Sequence, residues 1–103
     1  MLIQREIRLI YSAISCSFGV SELDINSDRR DRITVEARHW GMYITRKQYA
    51  WSFPKIGRMF GDRDHKTAWS AVNKMEKLVS KYPEYAETYL ILMENYDKIR
   101  TSN

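Results

Sequence analysis

Very little in this sequence could crosslink the chain, break it or anchor it in a membrane. Its 103 residues include a single cysteine, Cys16, which has no second thiol for a disulfide and no neighbouring thiolate to share a metal. A reducing, cytoplasmic setting follows. Two prolines and four glycines, in a chain that is 44% apolar, are too few for a disordered or low-complexity polymer. No apolar run approaches the roughly 18 residues of a membrane span. The opening MLIQREIRLIYSAIS carries Glu6 and Arg8 where a signal peptide would be uninterrupted. No stretch of strand length alternates apolar with polar residues. No glycine-rich loop ends in Lys-Ser or Lys-Thr, so the chain carries no phosphate-cradling loop of a nucleotide hydrolase. Its two histidines, His39 and His65, stand 26 positions apart, and Asp62 with Asp64 reads as a helix-capping pair. No catalytic, cofactor or metal site is expected.

What is present is positive charge in the middle. The formal net charge is +4, and it is unevenly spread. Residues 26 to 66 hold Arg29, Arg30, Arg32, Arg38, Arg46, Lys47, Lys55, Arg58, Arg63 and Lys66 against Asp28, Asp31, Glu36, Asp62 and Asp64. The segments on either side carry no excess of basic residues. A basic centre favours a polyanionic partner, because steering and phosphate contact follow local charge.

The spacing throughout is helical. Ile3, Ile7, Ile10, Ile14 and Phe18 form one stripe, ended by Gly19. VSELDI reads as a capping box, with Ser21 as N-cap, Asp24 three residues on, and Val20 and Ile25 as the flanking apolar pair. NSDRRDR has almost nothing to bury and predicts a basic loop over about 26–34. A helix is predicted from about Val35 to Tyr49, with Gly41 marking a close contact between helices. Ser52 followed by Pro54 starts a short helix, because proline's missing N–H falls among the donors that lack a helical partner. Phe60 and Gly61 end it. Ala68, Ala71, Val72, Met75, Leu78 and Val79 then continue an apolar stripe over three turns.

Two helices joined by a short glycine-bearing turn make a helix-turn-helix, spanning about 52–80, whose second helix would enter a major groove N-terminus first. That assigns work to GDRDHKTAW, residues 61–69. Arg63 precedes the helix and can reach a phosphate or a guanine edge. His65, Lys66 and Thr67 fill a first turn whose backbone donors favour phosphate. Asp62 or Asp64 caps it, though an exposed carboxylate there could also accept from cytosine. Trp69 lies off the apolar stripe and could sit beside the DNA backbone.

The run FPKIGRMFGDRDHKTAWSAVNKMEKL resembles the signature of the C-terminal DNA-binding domain of bacterial chromosomal replication initiators, the DnaA family, whose motif has the form L-P-x-I-G-x-x-F-G-x-R-D-H-T-T-V. Upstream, FGVSELDINSDRR is similar to that family's first helix, capping turn and basic loop; downstream, MEKLVSKYPEYAETYLILMENYDKI follows its closing pattern. The resemblance covers nearly all of residues 1–103 and implies one all-α domain of five or six helices. It implies a partner, double-stranded DNA, bound by a monomer at a short, A·T-rich, asymmetric box in the nucleoid. By position, Arg63, Asp64, His65 and Thr67 match the major-groove motif and Arg30 the minor-groove arginine. Arg29 matches its basic neighbour. Arg38, Pro54 and Lys66 fall where the family contacts phosphate, and Arg32 and Lys55 complete the basic set expected to do so.

The chain departs from the pattern at several places. Lys66 replaces the motif's first threonine, and Ala68 and Trp69 replace an aliphatic pair. Asp28 stands where a lysine is usual and Asp31 where a small polar residue is usual. Glu36 and Ala37 replace an arginine and a proline. Three carboxylates thus enter or border the surface that would face phosphates. With Met1 directly before the first helix, these departures favour a free-standing regulator without ATPase activity, such as a phage-borne one, over a fragment of an initiator. The alternative is a protein-binding or nonspecific DNA-binding module that keeps the fold. Tyr85, Tyr89, Leu92, Met93, Tyr96 and Ile99 of the closing helix would then supply a homodimer face, or else pack on the first helix.

Overall fold

Four of the helices begin where a short polar side chain takes N–H groups that lack helical partners, whereas the last starts at Tyr82 with no side-chain cap. The computed structural model, which describes residues 2–102 and side-chain surroundings from residue 5 onward, has six helices and no strand among the described residues. They are α1 (Leu2–Phe18), α2 (Glu22–Ile25), α3 (Arg32–Tyr49), α4 (Phe53–Met59), α5 (His65–Lys81) and α6 (Pro83–Thr101). Ser21 caps α2 by accepting from the Asp24 N–H, Ser52 caps α4 and Asp64 caps α5. The side chain of Ile3 and all of Met1 lie outside the described residues.

Three features at helix ends differ from the sequence pattern. The basic loop is shorter than predicted, because Asp31 accepts from the N–H of Thr34 at 3.2 Å and from its hydroxyl at 2.9 Å. That cap begins α3 at Arg32. Helix α3 then ends on Ala50 in the left-handed region, φ 54°, a position usually taken by glycine. Asp62 is not a cap: it sits at φ 56° directly after Gly61 at φ 86°, so two consecutive left-handed residues reverse the chain between α4 and α5.

Helix α3 lies at the centre, packed on α1, α2, α4 and α5, while α6 closes over α1 and α5. Ile10 and Ile14 of α1, Trp40, Tyr43 and Ile44 of α3, Ile56 of α4, Met75 of α5 and Leu92 of α6 are all buried in one core. The close contact predicted at Gly41 is with Phe60. A methyl group there would lie 2.5 Å from the Phe60 ring, which is fully buried and meets Tyr11 edge-on at 5.5 Å. Gly57 plays the same part for the turn: a Cβ would overlap the carbonyl of Arg63, whose N–H donates to the Gly57 carbonyl at 2.8 Å. The helix-turn-helix is therefore folded tightly on itself.

Aromatic residues of α6 mostly turn inward. Tyr85 stacks on Trp40 at 6.1 Å, Tyr89 meets Tyr43 edge-on at 5.5 Å, and the Tyr96 hydroxyl pairs with that of Tyr49 at 2.6 Å. Only Leu90 and Ile91 of this helix's large apolar side chains stay exposed.

Candidate nucleic-acid interface

The short polar segment 26–31 has no helix to hold it, so its backbone carbonyls need donors from elsewhere. Two arginines supply them. Arg38 of α3 is buried, and its guanidinium donates to the carbonyls of Ile25, Ser27 and Arg29 at 2.8, 3.1 and 3.1 Å. Burial and the nearby Arg63 guanidinium both press its pKa downward. From the turn before α5, Arg63 donates to the Phe60 carbonyl and, at 2.8 Å, to the same Ser27 carbonyl. The loop is thus tied to the helix-turn-helix by side chains from two distant parts of the sequence.

This changes the reading of both residues. Arg38 is buried and gives three of its five N–H donors to carbonyls of the loop, which makes it an internal strut. Arg63, expected at a base or phosphate, is half-buried and spends two donors on holding the turn and the loop together. Arg29 is also engaged, with Asp31 at 2.9 Å and Asp24 at 3.2 Å. Arg30 and Arg32 are exposed and make no hydrogen bond or ion pair through their side chains.

At the start of α5, His65, Lys66 and Thr67 are exposed. Asp64 accepts from the Thr67 N–H at 2.8 Å, and that backbone hydrogen bond, then the one to the Thr67 side chain, holds its carboxyl below the usual aspartate range. The same is true of Asp31, held down first by the Thr34 hydroxyl and then by the Thr34 N–H. Both aspartates thus serve as caps, and Asp31 pairs with Arg29 as well.

Between the loop and α5 lies a recess of about 370 Å³ that Arg30, His39, Arg63 and Thr67 share. A second recess, about 350 Å³, runs from His39 along Lys66, Thr67 and Lys74, and a third, about 300 Å³, holds Arg30, Arg32, His39 and Lys74. The structure therefore brings Arg30, Arg32, Lys66 and Thr67 around one centre, His39. Pro54 and Lys55 line none of these three recesses: Pro54 is exposed at the start of α4, and the Lys55 ammonium lies 3.9 Å over the Trp51 ring.

His39 and Lys74 carry no sequence signal beyond helical register. His39 follows Arg38 on α3, and Lys74 stands two turns after Thr67 on the same side of α5. Burial first, then the charges of Lys74, Arg38 and Arg63, push the His39 pKa down to about 4. His39 is thus a neutral floor among Arg30, Arg32, Lys66 and Lys74, with carboxylates also present at the rims: Asp28 and Asp62 line the first recess, Asp64 the second and Glu36 the third.

A family model described as the bacterial dnaA protein helix-turn-helix matches residues 7–75, more than half of the chain. The protein belongs to this family. Among curated relatives, the chromosomal replication initiator protein DnaA of Rhizobium meliloti (strain 1021) is 40% identical over 78 residues, 74% of this chain and 16% of the relative. The DnaA of Lachnoclostridium phytofermentans is 37% identical over 86 residues, 84% of this chain and 19% of the relative. That of Bartonella quintana is 43% identical over 70 residues, 68% and 14% respectively. The chain thus spans less than a fifth of the length of these DnaA proteins. As a DnaA-type helix-turn-helix it is a DNA-binding fold. No helix among the described residues is long and apolar enough to cross a membrane.

Proposed function

We propose that this chain recognises a short, asymmetric, A·T-rich box in double-stranded DNA as a monomer and serves as a replication- or transcription-related regulator. The observation that carries this reading is the shared recess in which Arg30 of the loop meets Thr67 of α5. A helix N-terminus in the major groove would bring an unpaired arginine to the neighbouring minor groove, where A·T-rich narrowing concentrates negative potential. In this reading His65 and Thr67 meet base edges, and Lys66, Arg32 and Lys74 hold phosphates. Arg38 and Arg63 keep the loop in place, and Asp64 caps the reading helix.

The test compares a box-bearing duplex with a scrambled one at fixed salt. His65→Ala and Arg30→Ala each lose about 1 to 3 kcal/mol on the box and much less on the scrambled duplex. Lys66→Ala weakens both alike and lowers the salt slope by about 1, since a phosphate contact releases a counterion wherever the protein sits. Equal wild-type affinity for both duplexes would leave a nonspecific DNA-binding module.

A further inference from the structure

Thirteen aromatic residues lie among the described positions, and eleven are buried or half-buried; the two exposed ones, Trp69 (53%) and Tyr82 (40%), line the same groove. This groove, about 500 Å³, follows the outer face of α5 and is bordered by Lys74, Lys77 and Lys81, with no carboxylate in its lining. Lys74 and Lys77 make no ion pair, and Glu76, which stands between them in sequence, reaches the other way to Lys47 at 3.3 Å. The Trp69 ring makes no hydrogen bond or ring contact through its side chain, whereas Tyr82 is steadied by the Lys81 ammonium, 5.4 Å from its centroid.

The geometry points to a second nucleic-acid site: a single strand lying along α5, its bases stacked on Trp69 and Tyr82 and its phosphates on Lys77 and Lys81. A positive track with aromatic faces along it is what a single strand requires, because every unpaired base offers a π-face and stacking tolerates any sequence. A duplex offers no such face. Moreover, Lys81 stands about 24 Å along the helix from His65, away from the end proposed to enter the major groove. A protein partner fits less well, since interfaces favour aromatic residues but are depleted in lysine.

The tryptophans make the test selective. Trp40 and Trp51 are buried, so iodide-accessible emission belongs to Trp69. Titrating the whole chain at low salt with an oligothymidylate of about ten nucleotides is expected to quench that emission. Tyr82→Ala should weaken single-strand binding about tenfold, while Tyr82→Phe, which keeps the ring, should preserve it. The Lys77→Ala, Lys81→Ala double variant should lower the single-strand salt slope by about 1.4. Neither Tyr82→Ala nor the double variant should change affinity for duplex DNA, and Arg30→Ala and His65→Ala should leave single-strand affinity intact, so the duplex reading and this one fail separately. The proposal is overturned if oligothymidylate leaves Trp69 emission unchanged. It is equally overturned if Tyr82→Ala binds the single strand as wild type does while remaining helical by circular dichroism. Stronger quenching by a polyglutamate peptide, or quenching that tracks self-association of the chain, would also overturn it in favour of a protein contact.

Discussion

The Arg63 guanidinium donates to the Ser27 carbonyl at 2.8 Å across 36 residues of chain. The Gly57 to Asp64 turn and the basic loop are therefore mechanically one unit. Hydrogen bonds from a charged donor contribute about 1.5 to 3 kcal/mol, so Arg63→Ala should lower unfolding free energy by that order. It should also weaken box and scrambled duplex together, through loss of the loop's position. Arg63→Lys keeps the charge but not the forked geometry, and should behave like the alanine variant. Wild-type melting together with a loss confined to the box would instead make Arg63 a base reader.

Asp28 and Asp31, both acidic intrusions into a basic loop, should respond in opposite ways. Asp28 is exposed and makes no ion pair or hydrogen bond through its side chain, so Asp28→Ser should tighten binding to duplexes in general at low salt. Asp31 caps α3 and pairs with Arg29. Asp31→Ala should lower the melting temperature instead, and Asp31→Ser, which can still cap, should restore most of it. A tighter-binding, fully stable Asp31→Ala would show that the carboxylate acts on the DNA and not on the helix.

His39 makes stability fall on mild acidification. Its pKa is lowered from 6.5 to about 4 in the folded chain, so between those values the unfolded state binds the proton and the folded state does not. Stability is thus fully present above pH 6.5 and declines as pH falls toward 4. Asp31 and Asp64, whose carboxyls are depressed below 3.8, add a second loss only at lower pH. Denaturation midpoints measured from pH 7.5 to 4.5 should decline in wild type and flatten in His39→Gln. An equal slope in the variant would assign the acid sensitivity elsewhere.

Two backbone positions should respond in opposite directions to single-methyl changes. Gly57→Ala drives a Cβ into the Arg63 carbonyl and should cost about 1 to 3 kcal/mol, loosening the turn that carries Arg63. Ala50→Gly relieves a left-handed alanine at the end of α3 and should raise stability by about 0.5 to 1 kcal/mol. Chemical denaturation of both variants reads these shifts. A neutral Gly57→Ala would mean that the turn can open without penalty.

Local physics made much of the fold legible. Helical spacing is a property of neighbours three and four residues apart, and a serine N-cap followed by proline, as at Ser52 and Pro54, acts within one turn. The ends at Gly19 and Gly61 and the helix-turn-helix over residues 53–81 could therefore be read directly. The start of α3 was misread because Asp31 was weighed as a charge facing DNA, although its spacing from Thr34 also suits a cap. The left-handed Ala50 was not readable at all, since nothing in its identity favours that conformation.

The sequence by itself determined an all-helical chain of the DnaA family with a basic centre and a polar, capped start to α5. Only the tertiary structure decided which of its basic residues are free. A guanidinium is long, and its partners are whatever carbonyls the fold brings within 3 Å or so. Ser27, 11 residues from Arg38 and 36 from Arg63, lies beyond any local pattern. For the same reason Arg30 and Arg38, alike in sequence, differ in kind: one is left in solvent beside Thr67, and the other is spent inside the protein on holding the loop that presents it.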